Sequence, residues 1–249
     1  MIFHRLVARF LKHGDDEEFY CIQAEDAARW LERAGVRLAP GLRVLDLGCG
    51  LGLIGGELAK RGCEVTLADE TDVRLPRYRE FDYREVDIET EDLARLGSYD
   101  LVVCSNVLEH LARPERLLGA IPAMLRPGGK YYLSWTNWYS PWGGHEYSPF
   151  HYLGKRRGYL IYDRLFHRRR NHTPFVNLFP TSIAGVLGRI RRNPRLRVVA
   201  VVPRYYPELS FVTRVPLLRE FLTWNCAILI ELVTKPCSDT ASTGAGEGG

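Results

Sequence analysis

Three stretches of the chain hold residue types that can do chemistry. The first is Val44-Leu-Asp46-Leu-Gly48-Cys49-Gly50-Leu-Gly52-Leu-Ile-Gly55, where Gly48, Gly50 and Gly52 permit a tight turn and let a ligand approach bare backbone. The second, Asn106-Val-Leu-Glu109-His110, gathers an amide, a carboxylate and an imidazole within five residues. The third runs from Thr136 to Gly154 and is dense in aromatic side chains, with His145-Glu146 and His151 among them. It reads as the lining of a substrate pocket, in competition with an ordered aromatic loop around a buried, satisfied histidine. His145-Glu146 does not open a zinc-protease helix: Pro149 and two glycines forbid one, and the H-E-x-x-H spacing is absent.

These residues need a frame. Val44 to Leu47 is a short apolar run that reads as a buried strand, and Leu53, Ile54, Leu58 and Ala59 recur at helical spacing behind the glycines. Strand, glycine turn and helix make a nucleotide-type site, with free N–H groups at the helix start. The spacing predicts an earlier helix over Asp16–Ala34 and a second strand over Cys63–Ala68 that puts Asp69 at its C-terminal tip. In a parallel sheet that tip lies beside the first crossover, where two carboxylate oxygens suit two ribose hydroxyls. The alternative for Asp69 is a turn or helix cap. A third strand is expected over Tyr83–Asp87, an apolar central strand over Tyr99–Ser105 and a crossover helix over Pro114–Leu125, ended by Arg126-Pro-Gly-Gly129. A fifth strand follows over Lys130–Trp135, a helix capped by Thr181 over Thr181–Ile190, a sixth strand over Leu196–Val202 and a seventh over Cys226–Val233.

Two cofactor classes compete for the glycine loop. Gly50-Leu-Gly52-Leu-Ile-Gly55 fits the G-x-G-x-x-G fingerprint of dinucleotide enzymes, with Asp69 near the spacing of a ribose-binding acid. The overlapping Asp46-Leu-Gly48-Cys-Gly50-Leu-Gly52 resembles motif I of class I S-adenosylmethionine-dependent methyltransferases. A carboxylate at the turn would repel a pyrophosphate, whereas S-adenosyl-L-methionine brings an ammonium and a sulfonium that Asp46 suits. The segment Asn106–His110 and the Pro127-Gly-Gly turn resemble the same family in the same order.

The resemblance implies a doubly wound, seven-stranded, mostly parallel α/β sheet (Rossmann-like) whose last strand is antiparallel. It places Asp46, Gly48, Cys49, Gly50, Gly52, Asp69 and Glu70 around the cofactor, Asp87 and Ile88 at its adenine, and Asn106 at its methionine moiety. A solvated acidic stretch is the alternative for Asp87. Direct transfer of the sulfonium methyl to an oxygen nucleophile would need a base near neutral pH, with His145 the first candidate and His110 the second. Some relatives carry E-x-x-E-H and bind a divalent metal through it. Here Asn106 replaces the first Glu, so no metal is expected, and Glu109 and His110 pair structurally as the alternative. The Gly143-Gly-His-Glu146 segment with His151-Tyr-Leu-Gly154 is similar to one in a group of actinobacterial methyltransferases that tend to accompany cell-envelope genes, as are Pro203–Pro207 and Pro216–Phe221.

Composition bounds the rest. A chain of 249 residues with 46% apolar content suits one methyltransferase domain over residues 1–235, with a basic lid over 136–180 and a disordered polar tail over 236–249. No run of about 18 uncharged apolar residues spans a membrane. The N-terminus, broken by Arg5 and Arg9, lacks signal-peptide features. Its Ile2, Phe3, Leu6 and Phe10 share one face of an amphipathic helix expected to cover its own domain. Six cysteines without a C-x-x-C pair favour the cytoplasm. Net charge is only +4, yet between Lys155 and Arg197 twelve basic residues face Asp163 alone. That asymmetry points to an anionic partner, either a small molecule or a lipid-linked acceptor, with peripheral contact at the inner face of a membrane. A nucleic-acid methyltransferase is the rival, although no RNA- or DNA-binding motif accompanies the arginines. A non-catalytic module that retains only cofactor binding is the other.

Overall fold

A computed structural model describes residues 2–13, 17–166 and 172–233. The expected tail over 236–249 and the arginines Arg168, Arg169 and Arg170 lie outside the described residues. Seven strands, β1 (Arg43–Leu47), β2 (Glu64–Asp69), β3 (Asp82–Glu85), β4 (Tyr99–Ser105), β5 (Leu125–Thr136), β6 (Leu196–Pro203) and β7 (Asn225–Leu232), form one sheet in the order β3-β2-β1-β4-β5-β7-β6. The first five pair in parallel, and β7 runs antiparallel to both β5 and β6.

The apolar runs are strands because both faces of the sheet are covered, the general condition of parallel sheets. In β4 the side chains alternate between two separate cores. Val102 and Cys104 join Leu45, Leu117, Ile121 and Trp135 on one face; Leu101 and Val103 join Val44, Leu31, Leu58 and Tyr132 on the other. The second face is covered by α2 (Glu17–Arg33) and α3 (Leu53–Ala59), the first by α4 (Pro114–Met124) and α6 (Ile183–Arg192). Between β5 and α6 lie short 3-10 helices at His145–Tyr147 and Phe150–Leu153, then α5 (Gly154–Phe166); α7 (Pro216–Leu222) precedes β7. Among the described residues no helix is long and apolar enough to cross a membrane.

The N-terminal helix α1 (Phe3–His13) covers its own domain: Leu6 packs on Phe19 and Tyr205, and Phe3 meets Tyr206 and Trp224 edge-on at 5.7 and 6.0 Å. Three boundaries differ from the sequence expectation. The third strand ends at Glu85, so Asp87 lies beyond it in a turn. Ser182, not Thr181, caps α6, its hydroxyl accepting from the Gly185 N–H at 3.1 Å. Arg126-Pro-Gly-Gly129 is not a separate turn but an irregular start to β5, taken up by a register shift against β4 between Tyr99 and Leu101.

Candidate active site

The C-terminal ends of β1 and β4 open onto a cavity of about 620 Å³. The glycine loop forms one wall and is pinned to the sheet by the Gly48 and Cys49 N–H groups, which donate to the Ala68 carbonyl at 2.7 and 3.0 Å. Gly48 has φ 72°, and a Cβ there would sit 2.3 Å from Val107 Cγ2, so the loop can follow this path only with glycine. At Gly50, φ is 50° and a Cβ would meet nothing within 4 Å, which leaves bare backbone facing open space.

Asp46 lies in the cavity wall, 2% exposed, its Oδ2 accepting from the Gly55 N–H in the first turn of α3 at 2.8 Å. Burial pushes its carboxyl up to about 7, against the lowering effect of the Gly55 N–H and with a smaller upward push from Asp69. Asp69 stands behind the loop. Its Oδ2 accepts from the Gly50 N–H at 2.7 Å and its Oδ1 from the Glu70 N–H at 2.8 Å, each oxygen keeping a second lone pair. Glu70 is exposed. Asp69 caps no helix; it ties the glycine loop to the end of β2. Asn106 lines the cavity at φ 57°, its Nδ2 donating to Gln23 Oε1 at 3.1 Å and its Oδ1 accepting from Asn225 at 2.8 Å.

Asp87 and Ile88 are not brought to this cavity. The Asp87 carboxylate accepts from the Glu89 N–H at 2.8 Å and the Thr90 hydroxyl at 2.7 Å, which hold it below the usual carboxylate range. Ile88 packs into the core with Val86 and Leu93.

At the other end of the cavity three imidazoles meet. Ring centroids lie 5.7 Å apart for His110 and His145, 4.6 Å for His145 and His172, and 5.2 Å for His110 and His172. His110 Nδ1 is 2.7 Å from the Asn177 carbonyl. A carbonyl only accepts, so this nitrogen carries a proton, and Nε2 is the ring nitrogen left for another partner. His145 is held at φ 51° by its 3-10 turn. Burial, reinforced by His172 and His110, pushes it down to about 3, so the ring is neutral and weakly basic. Its Nε2 is buried without a hydrogen-bond partner among the described residues. Glu109 is 1% exposed; Oε1 accepts from the Thr136 N–H at 2.8 Å, whereas Oε2 is buried with no hydrogen-bond partner among the described residues. His172 bonds Glu146 through Nδ1 at 3.0 Å. His151 belongs to the packing instead, with Nε2 3.0 Å from the Trp138 carbonyl. The aromatic stretch is therefore divided: Trp142, His145 and Glu146 line the cavity, while His151 holds the loop together.

Gln23, Arg204 and His172 line the cavity but were not selected from the sequence. Arg204 is 2% exposed and donates to the Ser105 hydroxyl at 2.9 Å, the Ser134 hydroxyl at 3.2 Å and the Gln23 carbonyl at 3.0 Å. It has no carboxylate at ion-pair distance among the described residues, although Asp26 and Glu109 act on it through space, and it puts a positive charge into the wall. The one available signal was its place in the Pro203–Pro207 similarity.

A methyltransferase domain family matches residues 20–172. An uncharacterised methyltransferase of Mycobacteroides abscessus is 33% identical over 244 residues, covering 90% of this chain and 91% of its own. Another from Mycobacterium sp. strain JLS is 33% identical over 236 residues, covering 91% and 93%. Among solved structures, an S-adenosylmethionine-dependent methyltransferase of Mesorhizobium loti superimposes with a TM-score of 0.54 at 20% identity, over 83% of this chain and 97% of that one. Magnesium protoporphyrin IX methyltransferase of Synechocystis, with S-adenosylhomocysteine bound, also gives 0.54, at 17% identity over 94% and 96%. The cavity suits such a cofactor, because Gly50 leaves room beside its backbone and Asp46 places a carboxyl group in the wall. This chain belongs to the methyltransferase domain family and is an S-adenosylmethionine-dependent methyltransferase.

Proposed function

We propose that the enzyme methylates an oxygen of an anionic acceptor that is lipid-linked or otherwise presented at the inner face of a membrane, a glycolipid or cell-envelope glycan precursor being the chemistry that fits. The observation that carries this reading is one face of α5. Arg157, Leu160, Ile161, Arg164 and Leu165 recur at helical spacing, and all five are exposed. Arginines interleaved with exposed apolar side chains suit an anionic lipid surface, each basic residue contributing about 1 kcal/mol near it. A wholly solvated face would have no use for the apolar members.

Two features of the cavity support the same reading. Tyr139 and Trp142 are exposed at the loop after β5, packed on Phe221 and Trp224 respectively, so an apolar rim adjoins the opening. Arg204 places a fixed positive charge in the wall. Bound S-adenosylmethionine supplies the activated methyl group. Asp46, the glycine loop, Asp69 and Asn106 are assigned to hold it, and His110 and His145 line the part of the cavity left for the incoming hydroxyl. Alignment of the two reactants accounts for much of the acceleration, since the sulfonium is already a good leaving group.

Vesicle co-sedimentation tests the membrane part. Binding is expected to rise with the anionic lipid fraction, to fall as salt increases from 50 to 300 mM, on the order of a few Debye-screened charges, and to weaken with Leu160→Glu and Leu165→Glu. Equal binding to neutral and anionic vesicles, or none at low salt, overturns it. Transfer of a labelled methyl group to material in the lipid fraction of a cell extract, and not to its RNA, tests the acceptor class.

A further inference from the structure

We propose that Glu109, His110 and His145 bind one divalent transition-metal ion at the end of the cavity away from the glycine loop. The three residues come from two turns, the 3-10 turn Leu108–His110 after β4 and the turn His145–Tyr147 after β5. One ligating atom from each lies within 4.8 Å of those of the other two. A tetrahedral ion with bonds of about 2.1 Å holds its donors about 3.4 Å apart, so side-chain shifts of roughly an ångström close the set.

The hydrogen bonding prepares these groups for a cation. Buried polar atoms are nearly always satisfied, and two orphans in one cluster need a reason. Among the described residues Glu109 Oε2 and His145 Nε2 are both such orphans, and His110 has Nε2 left for an ion because Nδ1 donates to Asn177. Each of Glu109 and His110 uses its other polar atom to fix its orientation, Glu109 on the Thr136 N–H and His110 on the Asn177 carbonyl. That is the pattern by which outer partners orient metal ligands. Two imidazoles and one carboxylate select zinc, iron(II), cobalt(II) or manganese(II) over magnesium or calcium, which prefer all-oxygen sites.

The inference runs against the sequence expectation, and the structure supplies the reason. Asn106 does lack the carboxylate, and its side chain is spent on Gln23 and Asn225. His145, distant in sequence, takes the vacant place in the ligand set. Three protein ligands leave coordination positions open.

The use of those positions rests on the oxygen-acceptor reading above; the metal site itself does not. An acceptor hydroxyl bound there is acidified by the ion and loses its proton to water. Its oxygen then forms the new O–C bond as the S–C bond breaks, the electron pair staying on the sulfur of S-adenosylhomocysteine.

The test uses the full chain, stripped with a chelator and dialysed. Cobalt(II) titration followed by visible absorption, and zinc(II) titration by calorimetry, are expected to show one site of micromolar affinity or tighter. Cobalt should give the intense bands of a low-symmetry N/O site. Glu109→Gln and His145→Asn are each expected to weaken zinc at least tenfold, whereas His4→Asn on the exposed face of α1 leaves it unchanged. S-adenosylhomocysteine binding by the same samples reports whether each variant is folded and separates the two readings: loss of zinc with cofactor retained by both variants supports the site. Should a variant fail to bind S-adenosylhomocysteine, His110→Asn replaces it. Wild-type protein that binds the cofactor but shows no cobalt bands or stoichiometric zinc overturns the site and leaves the methyltransferase assignment intact. Zinc binding unaffected by the ligand substitutions overturns it equally.

Discussion

Asp46 is expected to couple cofactor binding to a proton. With its carboxyl raised to about 7 by burial, most of it is protonated in the free enzyme below neutrality. An ammonium or sulfonium entering the cavity favours the ionised form and returns the group toward its ordinary value, about 4. Binding S-adenosylmethionine at pH 5.5 then releases about 0.9 of a proton from this group, and at pH 7 about half of one. The linked affinity rises about 15-fold, or about 1.6 kcal/mol, between those pH values, where the cofactor's own amine stays charged. Calorimetry in two buffers of different ionisation enthalpy measures the released proton directly. Asp46→Asn cannot titrate, so the difference between the variant and the wild type isolates this group from the nearby histidines. An affinity that changes with pH identically in both proteins would refute the coupling. The same raised value has the opposite consequence for the free protein: the folded state must carry a buried charge that the unfolded state ionises freely. This group therefore costs no stability below about pH 4 and lowers it progressively as pH rises toward 7. Asp46→Asn is expected to flatten that part of the stability curve, as read by urea denaturation.

Two paired substitutions separate cofactor contact from architecture. Gly48→Ala pushes a methyl group into Val107 from a left-handed backbone and is expected to destabilise the fold by about 2–4 kcal/mol in denaturant titrations, whereas Gly50→Val costs about 1–2 kcal/mol of backbone strain but fills cofactor space, so its main effect is a loss of S-adenosylhomocysteine affinity. Asp69→Ala is expected to weaken cofactor binding by about 1–3 kcal/mol through lost hydrogen bonds. Asp87→Ala should leave cofactor affinity within twofold of wild type, because its carboxylate is engaged with Glu89 and Thr90; a matching loss for both acids would place Asp87 at the adenine after all.

Much of the frame was legible because it is written in short-range patterns. The apolar runs that became β1, β4 and β7, the helical spacing of α2 and α3, and the glycine loop each depend on residues within a few positions of one another. Where a boundary moved, another local group competed successfully. Ser182 captured the N-cap beside Thr181, and Thr90 with the Glu89 N–H drew the Asp87 carboxylate into its own turn.

The sequence by itself determined the α/β class, the seven strands, the glycine loop between Asp46 and Asp69, and the concentration of histidine after β5. Only the tertiary structure decided which side chains share the cavity. Parallel strands joined by crossovers deliver the ends of β1 and β4 to one edge of the sheet, and α2 and the end of β6 close on it, so Gln23, Asn106, Arg204 and Asn225 meet across nearly the whole chain length. The same convergence sets His145 and His172 beside Glu109 and His110, giving an imidazole where the local motif lacks its first carboxylate. No spacing rule within a motif can contain that, because ligand and hydrogen-bond partners are selected by distance in space, and in this fold that distance is set by strand order.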